Sequence, residues 1–219
     1  MNIINIDAIK EFERFYKQFP IRTYKKNEVL IRADDEPLGI FCLKKGYVRQ
    51  YSISEEGMEL TPHILKPVQY FPKIWALSDA PNIYIFEALT EVEVVRAPKK
   101  ELVDFIKDKP LLLSELINRL LRDYTETLAR IENLVFSDAY RRVISILLYI
   151  TKHFGENRND RVVVSHHFTQ QDIANLIGVA RETASNEISK LEKKKLMKYI
   201  DHTMVFENIQ KLKNELSSS

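Results

Sequence analysis

The residues best equipped for chemistry lie between positions 168 and 191. Arg181, Glu182, Ser185, Asn186 and Ser189 recur at helical spacing and share one face. Arginine offers a donor fork to guanine, glutamate accepts from the cytosine amino group, and asparagine pairs with adenine. That is the chemistry of reading base edges, not of breaking bonds. The opposite face carries Ala184, Ile188 and Leu191 at i, i+4 and i+7. Upstream, Thr169 followed by Asp172 is a variant capping box that starts a helix. Ile173, Leu176 and Ile177 form its apolar face, and small Ala174 permits close approach of a second helix. Gly178 can take the positive φ that ends the first helix tightly. Two short helices joined by a glycine-containing turn make a helix-turn-helix. Thr169, Gln170, Thr183 and Lys190 complete the set of expected DNA contacts.

The plainer alternative is a helical hairpin inside an enzyme, with a solvated polar face. The residues after the second helix weigh against it. Residues 196–200 and 203–206, joined at Asp201-His202, read as a two-stranded hairpin, the wing of a winged helix. Lys190, Lys193, Lys194 and Lys195 lie between helix and wing, where phosphate contacts are expected.

Other chemistries fail on residue supply. The single cysteine, Cys42, forms neither an internal disulfide nor a thiolate cluster, and its apolar strand makes it a buried small hydrophobe. His63 is the only histidine in the first half, and a strand or turn role suits it better than haem ligation. No zinc spacing and no nucleophile–base–acid constellation occurs, so neither a metal nor a catalytic site is expected. Five glycines in 219 residues form neither GxGxxG nor GxxxxGK[ST].

The elements that must position these residues fall into three stretches. Over 24–98 the pattern is short strands, at 28–31, 39–43, 47–53, 60–65, 83–88 and 93–97. Turn signals at 34–37, 44–46 and 54–57 separate them. Strands spaced near ten residues suggest an all-β barrel or roll, preceded by a helix at 8–18. From Lys99 the period changes, with a short helix at 101–107. Pro110 then opens a long helix. Along it Leu113, Ile117, Leu120, Tyr124, Thr127, Ile131 and Leu134 alternate spacings of four and three, an a/d seam broken only by Thr127. A helix packed on its own domain also yields such a stripe. The regularity favours a dimer helix, with Leu116, Leu121, Leu128 and Val135 widening the arc. Asp138 offers an N-cap for a further helix at 139–154, and the break there marks a hinge. Residues 155–160 read as a polar loop, and the serine tail 217–219 is expected to fray.

With 45% hydrophobic and 29% charged residues, the chain is ordinary globular material for one large or two small domains. The net charge of +2 hides a split: from Asp138 onward the net is +3, and before it −1. No apolar run approaches the roughly 20 residues needed to span a bilayer. The first 20 residues also lack the uninterrupted apolar core of a signal peptide. A cytoplasmic location without membrane contact is expected.

Taken in order, β-roll, long helix and winged helix-turn-helix, the chain resembles the Crp/Fnr superfamily of bacterial transcription regulators. The resemblance rests on Ile173-Ala174, Gly178, Arg181-Glu182-Thr183 and Leu191-Glu192, and on Asn27-Glu28-Val29, Gly46-Tyr47-Val48-Arg49 and Ser54-Glu55-Glu56-Gly57. It implies an α+β chain with a jelly-roll-like double-stranded β-roll sensor at 1–109, a dimerisation helix at 110–136 and a winged helix-turn-helix at 137–219. It also implies a homodimer on a palindromic double-stranded DNA operator, read by a recognition helix at about 180–194, with RNA polymerase a further partner. Arg181 and Glu182 would read bases, with Ser185 beside them. Two departures bear on specificity: Asn186 stands where the family often has arginine, and Ala180 where it has a hydroxyl cap. The rival reading is a small-molecule-binding signalling module whose helix-turn-helix serves protein contacts.

Cyclic-nucleotide members of that family carry a Gly-Glu pair and an Arg-Ser or Arg-Thr pair in a phosphate cassette. The equivalent stretch here, about 67–86, has neither glycine nor arginine. A cyclic phosphate needs a cradle of backbone amides and a guanidinium, so cyclic AMP binding is not expected. No iron–sulfur or haem ligand set replaces it, and no cofactor is expected. The cassette is aromatic instead: Tyr70, Phe71, Trp75, Tyr84 and Phe86. Two readings stay open. These side chains fill a vestigial pocket, or they form a pocket for an apolar or aromatic effector stacked on Trp75.

Overall fold

The computed structural model describes residues 6–78, 80–158, 161–164 and 166–218. The chain divides into two compact units, Met1–Ser52 with Thr61–Glu126, and Ile53–Leu60 with Thr127–Ser219.

From the start of the described chain α1 (Ile6–Tyr16) leads into β1 (Ile21–Tyr24), β2 (Val29–Ile31), β3 (Ile40–Lys45), β4 (Val48–Ile53), β5 (Glu59–Leu65) and β6 (Tyr70–Phe71), of which Ile53, Glu59 and Leu60 belong to the second unit. The short α2 (Lys73–Leu77) follows, then β7 (Ile85–Ala88), β8 (Val92–Ala97) and α3 (Lys99–Lys107). The strands form two four-stranded sheets, β1-β8-β3-β6 and β2-β7-β4-β5. Strands β1 and β6 and helix α2 add to the expected elements; each carries too few residues for a periodic signal. The strand expected at 83–88 begins only at Ile85.

Between the sheets lie Ile31, Phe41, Leu43, Val48, Leu65, Phe71, Phe86, Val92 and Val94. The outer face of the first sheet presents Ile40, Cys42, Tyr70, Val95 and Ala97 to α1 and α3, through Phe12, Phe15, Tyr16, Leu102 and Ile106. Consecutive residues 40–43 of β3 are therefore all buried. A strand covered on both faces reads as a continuous apolar run. Gly46, with φ +82°, makes the turn into β4, and a Cβ there would stand 2.3 Å from the Glu91 carbonyl oxygen.

Helix α4 (Pro110–Phe136) is continuous over 27 residues, about 40 Å at 1.5 Å per residue. Its buried residues are Leu112, Glu115 and Leu116. Leu113, Ile117, Leu121, Tyr124, Leu128, Ile131, Val135 and Phe136 remain exposed.

The second unit continues with α5 (Ala139–Phe154), β9 (Gly155–Arg158), β10 (Arg161–Val164), α6 (Gln170–Ile177), α7 (Arg181–Lys193), β11 (Lys198–Ile200), β12 (Thr203–Phe206) and α8 (Ile209–Ser218). Asp138 caps α5 as expected, its carboxylate accepting from the Arg141 amide at 2.9 Å. Two expectations are corrected. Residues 155–158 are a strand paired with β10, because Val162–Val164 offers them a ladder; 159 and 160 lie outside the described residues. Ser217 and Ser218 belong to α8, and Ser219 lies outside the described residues. The sheet order is β11-β12-β10-β9.

Cys42 is 2% exposed, and burial pushes its thiol up to about 11, partly opposed by Lys44. At pH 8 its alkylation should run on the order of a hundredfold slower than that of a free cysteine. Full reactivity should return on unfolding, as thiol labelling read by mass spectrometry would show.

Candidate nucleic-acid interface

The second unit is built on α5, whose Val143, Ile144, Ile146, Leu147, Ile150 and Phe154 are buried. Helices α6, α7 and α8 all contact it. Phe154 meets Phe168 edge-on at 5.3 Å, anchoring the chain just before α6.

Helix α6 starts on the reciprocal cap that its sequence announces. Thr169 Oγ1 accepts from the Asp172 amide at 3.1 Å, and Asp172 Oδ2 accepts from the Thr169 amide at 2.7 Å. It ends at Gly178, which adopts φ 64°, ψ 45° and donates its amide to the Ala174 carbonyl. The left-handed conformation costs glycine no Cβ clash, which lets α7 begin after two further residues. Ile173, Ala174, Leu176 and Ile177 are buried on α6, and Ala184, Ile188 and Leu191 on α7.

The other face of α7 is the candidate reading surface. Arg181, Glu182, Asn186 and Lys190 are exposed, while Thr183, Ser185 and Ser189 are half-buried beside them. Arg181, Glu182 and Asn186 make no side-chain hydrogen bond or ion pair among the described residues. Their donors and acceptors are therefore unspent. Thr169 is exposed and Gln170 half-buried at the mouth of α6. Ala180 takes the N-cap position of α7 with extended backbone and gives no side-chain cap, as its residue type requires.

The lysine cluster is less uniform than its sequence suggests. Lys190 Nζ pairs with Glu187 at 2.7 Å, and Lys194 Nζ with Glu215 of α8 at 2.6 Å. Tyr140 donates to the same Glu215 carboxylate at 2.8 Å. These bonds hold Glu215 below the usual carboxylate range. The pairing therefore adds stability above that range and loses it as pH falls through the lowered value. Lys193 and Lys195 make no ion pair among the described residues. The wing turns at Asp201 and His202, both at positive φ, a two-residue hairpin. Burial pushes the Tyr199 hydroxyl in β11 up to about 12, with Glu192 and Asp172 adding to the rise.

Two buried polar residues escape a reading of the sequence. Asn175 on α6 is 7% exposed. It accepts from Gln171 at 2.7 Å and donates to Glu59, in the same unit, at 2.7 Å. Glu115 on α4 is buried with Arg119 on its carboxylate at 2.9 Å. The i,i+4 spacing of Glu115 and Arg119 is visible in sequence; their burial is not.

The five cassette aromatics do not share one lining. Tyr70 faces the helices, against Phe12 at 5.0 Å and Tyr16 at 5.4 Å. Trp75 packs with that cluster, under the Lys99 ammonium at 4.8 Å. Phe71 and Phe86 turn into the roll, where Phe41, Phe71 and Phe86 stack at 5.3 and 5.1 Å, and Tyr84 packs against them. Among the described residues no group of three or more His, Cys, Asp or Glu side chains could hold a metal ion. No helix there is long and apolar enough to cross a membrane.

Comparison with known proteins adds two family matches. Residues 21–109 match the cyclic nucleotide-binding domain family, and residues 141–215 the Crp-like helix-turn-helix domain family. The chain is 26% identical over 179 residues to a global nitrogen regulator of Nostoc sp., covering 81% of this chain and 80% of that protein. It is 27% identical over 158 residues to a CRP-like cAMP-activated global transcriptional regulator of Mycobacterium tuberculosis, covering 72% and 70%. A solved CRP/FNR-family regulator from Thermus thermophilus superposes with a TM-score of 0.74 at 23% identity, over 91% of this chain and 99% of that one.

Position 180 provides a test of how α7 is held. Ala180→Ser should add the missing cap and stabilise the folded chain by about 1 kcal/mol. Thr169→Ala should cost about as much. Chemical denaturation of both variants reads the two changes.

Proposed function

We infer the function from a premise that the two matched families together establish: the chain belongs to the Crp/Fnr superfamily of transcription regulators. It is a DNA-binding transcription regulator and not an enzyme. Beyond this, we propose that it acts in the cytoplasm as a homodimer on a palindromic operator, with no requirement for cyclic AMP. Residues 1–109 would form the sensor, 110–136 the dimer helix and 137–219 the DNA-binding domain.

The observation that carries the reading is the unspent polar face of α7, presented by a capped and glycine-terminated helix pair. Arg181 and Glu182 lie in its first turn, where a recognition helix reaches bases. Thr183, Ser185, Asn186 and Ser189 continue that face, and Thr169, Gln170, Lys190, Lys193 and Lys195 supply backbone contacts. Support for a dimer comes from α4, where Leu113, Ile117, Tyr124 and Ile131 stay exposed in line, with Leu120, Thr127 and Leu134 half-buried among them. A two-fold dimer of this kind engages half-sites one helical turn, or a multiple, apart.

Independence from cyclic AMP is supported by the same cassette that the family match covers. The stretch 67–86 has no glycine for an amide cradle and no arginine for the phosphate, and Phe41, Phe71 and Phe86 stack in the roll interior. This favours a filled pocket over an aromatic effector. RNA polymerase is the expected partner at the promoter.

Selection of duplexes from a random pool by the ligand-free chain, at stated near-physiological salt, tests the reading. A palindrome with suitably spaced half-sites is expected, without added nucleotide. Unenriched DNA, or enrichment only with cyclic AMP, would overturn the proposal of a competent unliganded dimer. Arg181→Ala and Glu182→Ala should each cost about 1–3 kcal/mol on the selected site and relax discrimination at one base pair. A protein-contacting helix-turn-helix would show neither loss.

A further inference from the structure

We propose that an ionic latch between α4 and residues 66–77 sets the orientation of α4, and through it the affinity for DNA. Arg119 closes the latch on the Val68 carbonyl, and Asp123 closes it on Lys73. The link to affinity rests on the dimer reading above; the latch itself does not.

All of the latch lies within the first unit. Arg119 Nη1 donates to the Val68 carbonyl oxygen at 2.9 Å. One helical turn on, Asp123 holds the Lys73 ammonium in an ion pair. Two side chains of α4 thus grip two points, Val68 and Lys73, on the segment that replaces the phosphate cassette. Arg119 is itself positioned from below. Its Nε donates to the Glu115 carboxylate at 2.9 Å, that side chain is 1% exposed, and Arg122 approaches it at 3.5 Å. The guanidinium also lies 5.4 Å from the centre of the Tyr70 ring. A buried carboxylate bonded to Arg119 and approached by Arg122 fixes direction as well as charge.

The gripped segment is held away from its relaxed shape. Val68 has φ 72°, a conformation that a β-branched residue rarely adopts. It is kept there by three bonds: the Val68 amide to the Leu43 carbonyl at 2.8 Å, the Leu43 amide to the Gln69 carbonyl at 3.0 Å, and Arg119 on the Val68 carbonyl. A strained turn clamped by a side chain from another element has a second state available once the clamp opens. The rim of the clamp is accessible: the Asp123 side chain is 32% exposed and that of Arg122 38%. On the same stretch of α4 the opposite stripe, Leu113, Ile117, Leu121 and Tyr124, is exposed. A helix gripped at 119 and 123 presents that stripe in one rotation only.

Charge exchange across the pair tests the latch in the full-length chain. Hydrogen exchange of peptides covering 66–77 and 116–126 reads the clamp, and fluorescence anisotropy on a selected duplex reads DNA affinity. Lys73→Glu and Asp123→Lys should each speed exchange at 66–77 by about tenfold and weaken DNA half-saturation comparably. The double variant, with the pair reversed, should return both to near wild type. Lys73→Met removes the charge without repulsion and should give the same direction if Lys73→Glu does not fold. Val68→Gly relaxes the turn and should slow exchange there. Wild-type exchange in the single variants, or no recovery in the reversed pair, would overturn the latch. Altered exchange with unchanged DNA affinity would overturn its role in control. Failure of the wild-type chain to select any duplex would overturn the functional reading instead, while exchange would still decide the latch.

Discussion

Burial of the β1-β8-β3-β6 sheet on both faces constrains everything else in the first unit. Ile40 and Cys42 point one way into Phe12, Tyr16 and Leu112, while Phe41 and Leu43 point the other way into the roll. A strand with no wet face cannot slip by one residue without exchanging two cores, so its register is strongly specified. That register, Ile40 against Ala97 and Cys42 against Val95, places α3 and the first turns of α4 on the outer face. Phe41, stacked against Phe71, closes the interior. The same packing that buries Cys42 also leaves the roll filled by aromatic rings.

The second unit solves a different problem, presenting a polar surface rigidly from a small core. Its means are local. A reciprocal cap starts α6, a left-handed glycine ends it, and a triad of small and branched apolar residues seats α7. Each cap contributes on the order of 1 kcal/mol. Together these features fix the direction in which Arg181 and Glu182 leave the surface. Internal ion pairs then sort the lysines. Glu187 and Glu215 engage Lys190 and Lys194, so the uncompensated charge is smaller and more localised than the lysine run implies.

Charge inside the first unit follows a similar economy. Glu115 is buried because two arginines satisfy it, and Arg119 reaches on to a backbone carbonyl. Buried charge networks of this kind hold geometry better than they add net stability. The exposed apolar stripe of α4 and the face that carries Arg119 and Asp123 are two sides of one helix. What orients one orients the other.

Much of this was legible in the residues themselves, wherever the determinant was local. The capping box at Thr169 and Asp172, the left-handed Gly178, the N-cap at Asp138, the turn at Asp201-His202 and the long helix from Pro110 depend on neighbours within a few positions. Short-range periodicity and cap chemistry therefore reported them, and with them the unspent face of α7. Tertiary structure alone decided what depends on distant partners. Gly155–Arg158 is polar and reads as a loop, yet it is a strand because β10 offers it hydrogen bonds. Tyr70 and Phe71 are adjacent in sequence and line opposite faces of a sheet, since side chains alternate along a strand once its pairing is set. Glu115 and Asn175 carry no sequence mark of burial. Arg119, the partner of Glu115, meets Val68 across 51 positions of chain, and Asn175 meets Glu59 across 116. Contacts at such separations leave no periodic trace, and only the folded chain brings their members together.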